Sequence, residues 1–117
     1  MPLVVVNRNP GKLGDKLLEE LVANLPESVA SSLTTSDLCP EGKLTAQDVE
    51  VWVLDFGPHD INTKDVEIII WANLYPERQK NLDFRRDILY RMVRLILPEE
   101  IKGFVWILLQ PASFGEF

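Results

Sequence analysis

At 117 residues the chain is the size of one domain, and its 46% hydrophobic and 26% charged content is that of a packed globular protein, not a disordered one. A formal charge of −6 argues against nucleic acid as a partner, because neutralising phosphates requires clustered Lys and Arg. One cysteine, Cys39, and one histidine, His59, exclude an internal disulfide and a His- or Cys-rich zinc site, so neither metal nor cofactor is expected.

Along the chain, Leu3–Val6 reads as a short buried strand, since consecutive β-branched residues suit a sheet covered on both sides. Pro2 directly precedes it, a tolerable place for a residue that has no backbone N–H. Asn9–Pro10 reads as a helix start, with Asn as N-cap and Pro in the first turn. Leu13, Leu17, Leu21 and Leu25 recur every four residues as that helix's apolar stripe, and Pro26 is expected to end or kink it. Residues 31–43 read as a loop rich in Ser, Thr, Pro and Gly.

Val49–Phe56 alternates as a second strand, and GPHD at 57–60 is a turn that leaves His59 on the surface. Val66–Trp71 is a third strand and Phe104–Leu109 a fourth. Between them 76–97 carries the longest helical pattern, with Leu82, Leu89, Val93 and Ile96 aligned. At about 100° per residue, Arg78 and Arg85 fall on the same apolar stripe. Arg78 near the helix start suits either a carboxylate ligand, aided by the positive end of the dipole, or a path past the sheet edge or to an intersubunit ion pair; the latter is expected for Arg85.

The chain thus predicts one α+β domain, 1–117. Two βαβ units, 2–56 and 66–109, build a four-stranded sheet with two helices on one face, and 110–117 forms a tail. A ferredoxin-like sandwich and a tautomerase-type subunit share this element order, and periodicity does not separate them. No apolar run approaches a membrane span and no leader pattern is evident, so a cytoplasmic protein without a membrane partner is expected.

Pro2 carries the sharpest chemistry. Once Met1 is removed, it is a secondary amine, and burial lowers an amine's affinity for protons by disfavouring the charged form. An amine titrating near neutrality suits a general base that moves a proton beside a carbonyl.

Pro2, the strand after it and the double βαβ resemble the tautomerase superfamily, to which macrophage migration inhibitory factor belongs. PERQKNLDF (76–84), ASFGEF (112–117) and TAQDVEVWV (45–53) look like segments of its malonate semialdehyde decarboxylase branch. The resemblance implies Pro2 as catalytic base and Asp48 as an acidic residue assisting water or substrate, the alternative for Asp48 being a cap on the turn before the second strand. It implies Phe114 as an aromatic wall, with Ala112 where the branch has tryptophan. Where the branch sets two arginines before the second helix, this chain has Asn73 and Tyr75, leaving Arg78 to substitute as the anion contact. A homotrimer closing three sheets into a barrel is implied, acting on a small keto or enol acid or an aromatic enol. The alternatives are a non-catalytic ligand-binding module of that fold and a ferredoxin-like regulatory subunit.

Overall fold

The computed structural model describes residues 1–117. Its strands are β1 (Leu3–Arg8), β2 (Glu50–Asp55), β3 (Val66–Asn73) and β4 (Gly103–Gln110), joined in one sheet of order β2-β1-β3-β4. β1 pairs with β2 in parallel, β3 with β4 in parallel, and β1 with β3 antiparallel. Each βαβ unit therefore keeps its two strands adjacent. In the ferredoxin-like arrangement another strand separates them, so this pairing excludes the ferredoxin-like alternative.

α1 (Asp15–Leu33) crosses between β1 and β2; α2 (Pro76–Lys80) and α3 (Leu82–Ile96) cross between β3 and β4. They cover one sheet face. Val4 and Val6 of β1 and Ile68 and Ile70 of β3 meet Leu21, Leu25 and Val29 of α1 and Leu89 and Val93 of α3 in one buried cluster. No helix is long and apolar enough to cross a membrane.

Three local expectations are corrected. Asn9–Pro10 does not begin α1: the Asn9 side chain accepts a hydrogen bond from Gly11 N at 2.9 Å, closing a separate turn, and the helix starts after Gly14. The oxygen that would have capped a helix closes an Asx turn instead. Leu13 is buried ahead of the helix, and Leu18 joins the stripe while Leu17 is only partly buried. Pro26 neither ends nor divides α1, and the loop begins only at Thr34. Pro26 removes one donor, whereas Val29 and Leu33 beyond it are fully buried, and that burial outweighs the lost bond. Finally, the helical pattern over 76–97 is broken at Asn81, whose φ of −129° and ψ of 38° separate α2 from α3. Asn81 Oδ1 accepts a hydrogen bond from Arg85 Nε at 2.7 Å, which holds the break in place.

The other sheet face has no helices. Trp52, Val5, Ile69 and Trp106 form a continuous row across all four strands. All three tryptophans of the chain lie on this face, with Trp52, Trp71 and Trp106 51%, 42% and 54% exposed.

Candidate functional site

Pro2 is fully buried at the head of β1, where its carbonyl accepts a hydrogen bond from Glu50 N at 3.1 Å. Its missing N–H costs nothing at a strand's first position. Met1 lies outside it, half exposed, and lines two adjoining hollows of about 300 Å³ each. Asn73, Ala112 and Phe114 are common to both. Tyr75 and Arg78 complete one hollow, and Leu3 and Trp71 the other. Asn73, Tyr75, Arg78 and Phe114, four positions singled out in the sequence, thus converge beside the Met1–Pro2 segment.

The register explains the convergence. Leu3 pairs with Trp71, so Pro2 sits level with the end of β3, and Asn73 pairs with Gln110 at the end of β4. Tyr75 then caps α2 and the tail returns Phe114 over the same sheet end.

Arg78 and Arg85 are 2% and 7% exposed. Arg78 donates from Nε to Leu33 O at 2.8 Å, and from its two terminal nitrogens to Asn73 O and Gly42 O at 3.0 Å each. Arg85 donates to Ser32 O and Thr34 O, both at 2.9 Å. Leu33 O, Ser32 O and Thr34 O belong to the C-terminal end of α1, which has no basic residue in its own last turn. Carbonyls there lack intrahelical donors and carry the negative end of the dipole, so the two arginines are the cap of a helix in the other half of the chain. Arg85 therefore does not snorkel to solvent, a correction to the expectation; its ion pair, to Glu77 at 3.8 Å, lies within its own chain.

Arg78 takes part in no carboxylate pair. Its guanidinium lies over the Tyr75 ring, 4.8 Å from the centroid, and desolvation lowers its pKa from the ordinary value. Three of its five N–H donors are used on carbonyls, leaving two. A buried cation on a hollow, with unspent donors and no carboxylate in direct contact, can accept an anion, although Glu77 already acts on it through space.

Asp48 is not brought to this site. It closes a capping box with Thr45 before β2, accepting from Thr45 N at 2.7 Å. The carboxylate at the hollow is Glu41, which with Leu44 flanks the stretch whose Gly42 carbonyl Arg78 holds. Neither residue stood out in the sequence. Residues 34–44 have no periodicity, and Arg78, from another element, helps fix their path together with bonds between Thr34 and Leu44 and between Thr35 and Gly42.

Strand order and the placement of this hollow define the fold class: an α+β subunit of two βαβ units in one sheet of order β2-β1-β3-β4, with Pro2, preceded by Met1, at the head of a central strand. No protein-family model matches the chain, and no curated protein matches it. Among solved structures, a native fused 4-OT aligns with a TM-score of 0.62 over 97% of this chain and 91% of its own, at 15% identity. FG41 malonate semialdehyde decarboxylase, inhibited by 3-bromopropiolate, aligns at 0.54 over 97% and 89%, at 13% identity. A protein of unknown function from Vibrio cholerae O1 biovar eltor str. N16961 aligns at 0.63 over 98% and 84%, at 12% identity. At these identities the likeness is one of fold.

Proposed function

We propose that the chain, once Met1 is removed, is a cofactor-independent tautomerase (an isomerase) acting in the cytoplasm on a small keto or enol acid, with Pro2 as general base. The observation that carries this reading is the position of Met1: it lines both hollows directly outside Pro2, so its removal would leave a secondary amine facing Asn73, Tyr75, Arg78 and Phe114. The amine takes the proton from the carbon beside the carbonyl, the C–H electron pair moves into the enolate, and the proton is returned to oxygen; ketonisation runs the same steps in reverse. Arg78 and Asn73 hold the substrate carboxylate, and Tyr75 and Phe114 supply flat walls that favour an aromatic body. Asp48 has no part in this scheme.

A homotrimer belongs to the same proposal. The bare sheet face exposes all three tryptophans, and closing three sheets around it would bury them.

A second reading rests on the same Met1. If Met1 is retained, the Pro2 nitrogen is an amide without basicity, and the hollow serves only to bind. Assay of phenylpyruvate tautomerisation by protein whose mass shows Met1 removed, against its Pro2→Ala variant, separates the two readings.

A further inference from the structure

We propose that a second cleft, between α3 and the starting ends of β3 and β4, binds an amphipathic carboxylate: an acid group on a compact apolar body. The cleft encloses about 340 Å³, near the lower end of the range for small-ligand pockets. Its floor is apolar and buried, built from Val66, Ile68 and Val93. Its rim carries Lys64, Arg94 and Lys102, three of the chain's 12 lysines and arginines.

None of the three takes part in an ion pair, although the chain carries a formal charge of −6. Arg94 donates to Ile101 O at 2.6 Å and Lys102 Nζ to Glu99 O at 3.0 Å, which fixes each cation through one donor and leaves others free. The nearby acids bind the backbone of the rim residues and not their cationic heads. Asp65 Oδ2 accepts from Lys102 N at 2.9 Å, and Glu67 Oε2 accepts from Lys64 N at 3.0 Å while belonging to the opposite sheet face.

Apolar floor and cationic rim ask for different parts of one ligand. A free inorganic anion would leave the floor wetted, and a neutral apolar molecule would leave the cations without a partner. An acid with a medium-length aliphatic or aromatic body satisfies both. The cleft is separate from the Met1–Pro2 hollow: Val66 begins β3 and Ala72, level with Pro2, lies six residues on, about 20 Å along the strand. Its fate is therefore independent of the proline's.

The test is titration of the full chain with decanoate below its micellar concentration, followed by calorimetry and amide NMR, with decanol and inorganic phosphate as comparators. Decanoate should bind with shifts centred on Val66, Val93 and Ile101, and decanol and phosphate should bind at least about tenfold more weakly. Lys64→Gln, at an exposed side chain without partners, and Arg94→Gln should each weaken decanoate several-fold. Because Arg94→Gln also removes the bond to Ile101, the Lys64 variant carries the test if the other fails to fold. Absent decanoate binding, equal affinity for decanol or phosphate, unchanged affinity in Lys64→Gln, or shifts confined to the Met1–Asn73 hollow would each overturn the proposal.

Discussion

Arg78 and Arg85 are arginines on an apolar stripe, and buried guanidinium groups usually demand carboxylates. Here the main partner is the C-terminal end of a helix, three carbonyls at the close of α1, supplemented by Asn73 O and Gly42 O. Their place on the stripe was legible from spacing alone; their partners were not, because those carbonyls lie at the end of α1, beyond Pro26, where the helix was expected to end or kink. Arg85→Met should leave Ser32 O and Thr34 O without donors in a dry setting. A loss of about 2–4 kcal/mol is expected, read from the urea midpoint at unchanged slope.

Glu77 acts beside them. Its carboxylate accepts from the Ser36 hydroxyl and the Ser36 N–H, and these bonds hold its pKa below the ordinary value, with Arg85 and Arg78 adding in the same sense. A depressed folded-state value means that the unfolded chain binds the proton more tightly. The contribution is therefore complete above the ordinary carboxylate range and is lost as pH falls through the folded value. Glu77→Gln should flatten the acid limb of a stability-against-pH curve below about pH 4.3; an unchanged limb would show that Ser36 does not need the charge.

The secondary elements divide into those that hydrophobic pattern determines and those that single polar or cyclic residues decide. All four strands and both main helical segments were legible, because Val, Ile and Leu periodicity survives any detail of capping. Boundaries failed where one residue had two local options. Asn9 closes a turn instead of capping, Pro26 stays inside a helix because the stripe beyond it is buried, and Asn81 leaves the helical region to hold Arg85. Pro26 still denies Val22 O its intrahelical donor. Pro26→Ala should raise stability by about 1–2 kcal/mol, the helical gain being reduced by a freer unfolded chain. A lower melting temperature would mean that the ring's packing outweighs the missing bond.

For the molecule as a whole, strand order decided what element order left open. Adjacent parallel strands within each unit place Pro2 on a central strand and bring the ends of β3 and β4, the start of α2 and the tail around it. Asn73, Tyr75, Arg78 and Phe114 were legible through resemblance, and Arg78 through its stripe position as well. Glu41 was not, and Asp48 is held by its local cap. The same topology leaves Trp52 and Trp106 at the two ends of one exposed row. If the proposed trimer forms, sedimentation should find it, and Trp106→Glu, which sets a charge into the proposed seam, should dissociate it to monomers with the fold retained by circular dichroism. A wild-type monomer would contradict the proposed assembly.

The central claim is that Pro2 supplies a free amine to the hollow beside it. Phenylpyruvate tautomerisation, measured on protein whose intact mass confirms loss of Met1, tests it most directly against Pro2→Ala prepared in the same way. Loss of a positioned general base should slow the reaction by about 10²-fold or more, with the wild-type rate rising as pH climbs through the amine's titration. Equal rates for the two proteins, or Met1 retained throughout the protein isolated from its source, would contradict the account.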